Sequence, residues 1–414
     1  MKATMMEDQG CSKTMELYDH QKSILEKNPK RCLFAWGTGT GKTYGSLALA
    51  NKNVNSILVI CPKSLYEKWL RDVEEFPGAK YEVITKENFR KNWDILDKYD
   101  ALIVDEAHYF SGMKSAMSKA LLAYNKKWNT EYIYLLTATP FLSTPWNIYR
   151  LAQMMGIRYH YLDFLGTFFY KIKLGKYPNA PTVTKMRPGM EKELAKYVHR
   201  IGDVVDIHDC ADIPEQVFET EHFKTNKKQI ALLKEVALLE TNPAVKYTRY
   251  HQIENGTLKG DEYTENKFVN AAKHEYLMEL INDNKKIAVF CRYNLQIDAI
   301  KDMIKDKKVF VIRGDVLNKD AVVQAVEEAE DCVVLINAAC SEGYELPSVG
   351  VCVFASMSFS FKDYKQAQGR FLRINKLKKN VYIHLINKDS IDEAVYQSIM
   401  NKQDFDIEIY AKNK

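Results

Sequence analysis

The apolar residues of this chain fall into two alternating patterns. Short, almost unbroken apolar runs occupy 32–36, 56–61, 81–84, 101–104 and 132–137, and between them lie stretches, 44–50, 64–75, 114–124 and 146–155, whose apolar residues recur every three or four positions. Buried strands joined by amphipathic helices make a parallel sheet covered on both faces. Ligands bind such sheets at the carboxyl ends of the strands. A helical pattern over 15–27 precedes the first run. The alternation stops at Gly156, gives way to helical patterns over 191–200 and 227–239 and a turn-rich break at 255–260, and resumes near Phe268. Strand-like runs at 286–291, 308–312, 331–337, 350–355 and 380–386 then accompany helical stretches at 271–281, 295–304, 319–328 and 363–372. Ser390 and Glu393 form a capping box that opens a last helix. The expected architecture is α/β, with two parallel-sheet domains in tandem over 1–155 and 266–414 and a helical insertion and linker over 156–265.

Chemistry collects at the strand ends. After the run 32–36 comes Gly37-Thr38-Gly39-Thr40-Gly41-Lys42-Thr43. Glycines let the backbone curl so that successive N–H groups point inward, and the following helix adds the positive end of its dipole. An anion fits there, with Lys42 reaching the β- and γ-phosphates and the Thr43 hydroxyl holding Mg²⁺. Trp36 stands where the strict G-x-x-x-x-G-K-[ST] pattern has glycine. Upstream, Tyr18 and Gln21 are candidates to stack on and hydrogen-bond an adenine. The run 101–104 ends in Asp105-Glu106-Ala107-His108. Asp105 can hold Mg²⁺ through its water shell, and Glu106 can orient and deprotonate an attacking water. Thr137-Ala138-Thr139-Pro140 ends another run, with hydroxyls able to hydrogen-bond those carboxylates. The second domain has no phosphate loop. Its informative stretch is Gln366-Ala367-Gln368-Gly369-Arg370-Phe371-Leu372-Arg373, where Arg370 and Arg373, three apart on a helix, can face one anion.

A length of 414 residues suits two or three domains, and a hydrophobic content of 46% supplies their cores. Lys+Arg 59 against Asp+Glu 54, a net charge of +5, permits a polyanion partner without demanding one. The first dozen residues lack an apolar core segment, so no signal peptide is expected, and no apolar run approaches a membrane span. The eight cysteines contain no C-x-x-C pair and sit mostly in apolar runs, which reads as reduced core thiols of a cytoplasmic protein. From 162 to 187 aromatics interleave with Lys171, Lys173, Lys176, Lys185 and Arg187. That mixture suits either a grip on a nucleic-acid backbone with base stacking, or an aromatic core edge with solvated lysines.

Taken together, the ordered blocks resemble the superfamily 2 helicases and translocases, and more narrowly the Swi/Snf-like group with its compact phage-type members carrying a DEAH motif. Leu17-Tyr18-Asp19-His20-Gln21 resembles the adenine-reading Q motif, Gly39-Thr40-Gly41-Lys42-Thr43 motif I, Asp105-Glu106-Ala107-His108 motif II, and Thr137-Ala138-Thr139-Pro140 motif III. Cys61-Pro62-Lys63-Ser64-Leu65 with Trp69 resembles motif Ia, Ala339 through Pro347 motif V, and Gln366 through Arg373 motif VI. The match runs from Leu17 to about Lys402. That group also lacks the first strict glycine. Glu345, where relatives carry Asn or Asp, and Ile374-Asn375, in place of Ile-Gly-Gln, depart from it.

The resemblance implies two RecA-like domains facing each other across an ATP site. Lys42 and the loop residues Gly37, Thr38, Gly39, Thr40 and Gly41 would bind phosphates, Thr43 and Asp105 would position Mg²⁺, and Glu106 would activate water. Arg370 and Arg373, with Gln366, would complete the site from the second domain, the arginines as fingers on the γ-phosphate. Pro62, Lys63, Ser64, Thr85, Arg292 and Ser341 are candidate phosphate contacts to a DNA strand. The implied activity is ATP-dependent movement along, or unwinding of, single-stranded, duplex or branched DNA in replication, recombination or repair. A monomer is expected, with a recruiting protein open as a second partner and no membrane. Two other readings stay open. One is an RNA-dependent ATPase, separated only by sensitivity to the 2′-hydroxyl. The other is an ATP-switched nucleic-acid clamp or protein-remodelling scaffold, against which Glu106 and the arginine pair speak, since binding alone requires neither.

Overall fold

The computed structural model describes residues 17–138, 145–157, 159–173, 182–210, 215–260, 264–316, 318–340, 343–372, 379–405, 407 and 410. In its first half the described strands are β1 (Arg31–Trp36), β2 (Ser56–Cys61), β3 (Lys80–Thr85), β4 (Ala101–Val104), β5 (Tyr132–Leu136), β6 (Phe169–Lys173), β7 (Thr182–Met186) and β8 (Gly202–Val205). All but β6 and β7 form one parallel sheet in the order β3-β2-β4-β5-β1-β8. The second half holds β9 (Val217–Phe223), β10 (Thr257–Leu258), β11 (Lys267–Phe268), β12 (Lys286–Cys291), β13 (Lys308–Ile312), β14 (Cys332–Asn337), β15 (Val351–Phe354) and β16 (Val381–Asn387). Its parallel sheet runs β13-β14-β12-β15-β16-β9. The pairs β6-β7 and β10-β11 are antiparallel.

The central strands are apolar on both faces because helices cover both faces. Leu33, Leu58, Leu102 and Ile133 enter one core with Ala120, Leu121 and Tyr124 of the helix Ala116–Trp128. Their sequence neighbours Phe34, Val59, Ile103 and Tyr134 point the other way, to Leu47 and Ala50 of the helix Lys42–Asn53. The result is the pair of RecA-like lobes implied by the motifs.

The segment 156–265 differs from a purely helical insertion. β8 closes one edge of the first sheet, with Gly202 opposite Leu33 and Val205 opposite Trp36. β9 extends the second sheet beside β16. Both are edge strands: β8 has only four residues, and β9 alternates with exposed glutamates at 219 and 221. Neither carries the unbroken apolar run that marks a central strand. Phe164, Phe168, Phe169 and Tyr197 lie in the first lobe's core, so the aromatic positions of 162–170 serve mainly packing. The helix Lys227–Leu239 forms where the helical pattern put it, and a further helix, Pro243–Glu254, follows it. Among the described residues no helix is long and apolar enough to cross a membrane.

Candidate nucleotide site and nucleic-acid face

The loop between β1 and the helix Lys42–Asn53 is tied down on both sides. Gly37 N donates to Val205 O of β8 at 2.8 Å. Gln21 Nε2 donates to Gly41 O at 2.9 Å, while Gln21 Oε1 accepts from Tyr18 N at 2.8 Å. Gly39 and Gly41 have φ of 79° and 78°, and a Cβ on Gly41 would come within 2.5 Å of Gln21 Nε2. Gln21 therefore anchors the loop, a role additional to the adenine contact expected of it. Tyr18 and Gln21 line one cavity together with Thr38, Gly39 and Gly41 of the loop. Trp36, in place of the strict glycine, is fully buried, donates from Nε1 to Asp203 Oδ2 at 2.9 Å, and lies under Gly45, whose Cβ would meet its ring at 2.8 Å.

Lys42 Nζ donates to Trp36 O at 3.0 Å and Gly37 O at 2.9 Å, inside the loop. Burial lowers its pKa to about 8 against the pull of Glu106 and Asp105, so it is charged at neutral pH. Asp105 takes two hydrogen bonds: Trp69 Nε1 donates to Oδ2 and Glu106 N to Oδ1, each at 2.8 Å. Glu106 has φ of 47°, a left-handed backbone that costs about 1–2 kcal/mol for a residue with a Cβ. Burial and the charge of Glu106 push Asp105 upward. Burial also presses Glu106 upward, but His108, Lys42 and Lys362 outweigh it and hold that carboxyl low. His108 Nδ1 is 3.1 Å from Glu106 Oε2, close but outside hydrogen-bond alignment. Glu106 is thereby kept ionised, the state a general base needs.

The second lobe completes the cavity. Its volume is about 490 Å³, and Lys42, Thr43, Asp105 and Glu106 from the first lobe line it with Gln366 and Arg370 from the second. The helix Phe361–Gly369 stops before Arg370, which is its C-cap. Arg370 thus reaches the cavity from the helix end. Gly369 packs there against the loop, where a Cβ would lie 2.7 Å from Thr38 Oγ1. Arg370 Nη1 donates to Tyr344 O at 3.0 Å, and its Nε is buried without a hydrogen-bond partner. An anion would satisfy that N–H. Arg373, Thr139 and Pro140 lie outside the described residues. Among the described residues no group of three or more His, Cys, Asp or Glu is arranged to hold a metal. Asp105 and Thr43 offer one carboxylate and one hydroxyl, a sparse set that fits Mg²⁺ held largely by phosphate oxygens and water.

The nucleic-acid candidates spread over both lobes. Pro62 is buried at the end of β2, and Lys63 and Ser64 are exposed in the 3-10 turn that follows. Thr85 ends β3 and caps the helix Lys86–Asn92, its Oγ1 accepting from Asn88 N at 3.3 Å. Because the sheet is parallel, these ends share one edge with Gly37 and Asp105. Arg292 follows β12 and lays its guanidinium 3.6 Å from the Phe359 ring centroid. Ser64 meets the second lobe, since a Cβ on Gly343 would lie 2.9 Å from Ser64 O. Ser341 lies outside the described residues.

Residues 6–96 match the family model for the type III restriction enzyme, res subunit, and residues 272–375 match that for the helicase conserved C-terminal domain. The SWI/SNF-related matrix-associated actin-dependent regulator of chromatin subfamily A-like protein 1 of Drosophila melanogaster is 23% identical over 423 residues, covering 91% of this chain and 53% of its own. Over nearly its whole length the chain is similar to SWI/SNF-related proteins. The Xenopus tropicalis protein of the same description is also 23% identical, over 90% of this chain and 42% of its own length. Chromodomain-helicase-DNA-binding protein 1-like of Danio rerio is 19% identical, over 92% and 42%. The chain thus spans about half or less of the curated relatives it matches. Among solved structures, the Sulfolobus solfataricus SWI2/SNF2 ATPase core in complex with dsDNA aligns over 94% of this chain and 91% of its own, with 18% identity and a TM-score of 0.42.

Reading the motifs missed the residues that orient this site from a distance. Trp69 appeared only as a companion of the Cys61-Pro62-Lys63-Ser64-Leu65 block, although its indole N–H holds Asp105. His20 was one letter of a motif, yet its Nε2 pairs with Thr40 O at 2.8 Å. Asp203 left no signal at all, being a single acid in an edge strand.

Proposed function

We propose that this Swi/Snf-like protein is a DNA-dependent ATPase that couples hydrolysis to movement along DNA. The observation that carries the reading is the convergence of Lys42, Thr43, Asp105 and Glu106 with Gln366 and Arg370, from two lobes, on one cavity. Lys42 and the loop N–H groups bind the β- and γ-phosphates, with phosphate oxygens replacing the carbonyls of Trp36 and Gly37 around Nζ. Glu106, kept ionised, orients a water and takes its proton. Thr43 and Asp105 would hold Mg²⁺, which neutralises phosphate charge. Arg370, with Arg373 by the motif, offsets the charge that develops as the γ-phosphoryl group departs. Because Arg370 belongs to the second lobe, turnover requires closure. Each cycle then shifts DNA contacts at Pro62, Lys63, Ser64 and Thr85 relative to those at Arg292 and Ser341. A relative described as a helicase-DNA-binding protein favours DNA over RNA as the polymer.

The test is steady-state ATP hydrolysis without nucleic acid and with single-stranded DNA, duplex DNA, a forked duplex and RNA, beside Glu106→Gln. DNA should stimulate more than RNA, and Glu106→Gln should bind nucleotide without turning it over. Equal, unstimulated rates in all five conditions would remove DNA from the reading and favour the remodelling scaffold.

A further inference from the structure

Tyr109 directly follows the Asp105-Glu106-Ala107-His108 turn, and two ammonium groups from different lobes grip its ring. Lys86 Nζ lies 3.2 Å from the ring centroid. Lys362 Nζ lies 4.4 Å from it and donates to Tyr109 Oη at 3.2 Å. Lys86 opens the helix Lys86–Asn92 immediately after Thr85, in the first lobe. Lys362 sits in the first turn of the helix Phe361–Gly369, which leads to Gln366 and Arg370 in the second. Toward the nucleotide cavity, the rings of Tyr109 and His108 are 4.5 Å apart, and Tyr109 N donates to Glu106 O at 3.0 Å.

Two cations against one ring repel each other unless nearby anions compensate. Glu87 lies 3.8 Å from Lys86. The arrangement braces a backbone that is strained, since Glu106 holds a left-handed conformation that persists only where its surroundings over-determine it.

We propose that Lys362 is a positioning residue: as the lobes close it clamps Tyr109 against Lys86 and fixes the Glu106–His108 turn in its working geometry. The same ring joins closure to Thr85, a candidate DNA contact. The inference rests on the ATPase reading given above.

Its test compares the full-length wild type with Lys362→Met, Lys362→Arg, Tyr109→Leu and the Tyr109→Leu/Lys362→Met double variant. Steady-state ATP hydrolysis and equilibrium binding of a fluorescent ATP analogue are measured for each, with Glu106→Gln as the site control. Lys362→Met is expected to lower kcat by about three- to tenfold, the size of one cation–π contact. KM and analogue affinity should stay within about twofold, because the contact acts on turnover and not on ground-state binding. Lys362→Arg should restore most of the rate, and the double variant should be no slower than the slower single one. An unchanged kcat in Lys362→Met, a failure of arginine to rescue, or losses that multiply in the double variant would overturn the clamp while leaving the ATPase reading in place. Undiminished hydrolysis in Glu106→Gln would overturn that reading and the clamp with it. Lys362 is only half-buried, so its variants keep the test decisive even where Tyr109→Leu does not fold.

Discussion

Lys42 sits among carbonyls and two carboxylates, and burial brings its pKa from the ordinary lysine value to about 8. A bound phosphate favours the ammonium form. Above about pH 8 the empty site has lost its proton, so binding must take one up, and affinity falls as pH rises. The expected loss is up to about tenfold per unit between about pH 8 and pH 9, with little change below. Calorimetric titration with a non-hydrolysable ATP analogue measures it. Lys42→Ala should bind weakly at every pH and lack the decline, whereas a wild-type affinity that stays level would remove Lys42 from phosphate contact.

β8 shows how an edge strand can govern a loop it does not contain. Gly202 is in extended backbone, so its glycine answers a demand for space: a Cβ would lie 2.0 Å from Leu33 O of β1. Gly202→Val must push β8 away from β1. That movement strains the bond from Gly37 N to Val205 O and the one from Trp36 Nε1 to Asp203, both of which set the loop. Overpacking of this kind costs about 1–3 kcal/mol. A melting temperature lower by a few degrees, roughly what that energy implies for a chain this long, should accompany weaker nucleotide binding. Unchanged melting and affinity would show that β8 does not position the loop.

Across the whole molecule, the lobes touch where small residues permit it, Gly369 on Thr38 and Gly343 on Ser64. The ion pair between Arg71 and Asp320 also spans them, but its side chains are 60% and 44% exposed, and such pairs contribute about 0–1 kcal/mol. Closure therefore depends on what fills the cavity more than on surface charge. Arg370→Ala should leave analogue binding nearly intact and lower kcat by about a hundredfold or more, because its charge is needed as the γ-phosphoryl group departs. Parallel binding and turnover assays read this split. An unaltered kcat would detach the second lobe from the chemistry.

Some of this was local and so legible in the chain. The curl of Gly37 through Gly41, the pair Asp105-Glu106 at a strand end, and the apolar runs that became central strands are each encoded by neighbouring residues, whose period and conformational freedom act over a few positions. Even there, the helix expected over 363–372 ends at Gly369, because its end is set by packing on the other lobe. What tertiary structure alone decided are pairings between distant residues. Trp69 holds Asp105 across 36 positions, Trp36 meets Asp203 across 167, and Lys362 reaches Tyr109 across 253. The edge strands β8 and β9 belong with these, since their short or polar runs gain strand form from the sheet they join. Periodicity records which face of an element is buried, but partners are chosen by the closing of the chain on itself, and that choice leaves no mark at either end.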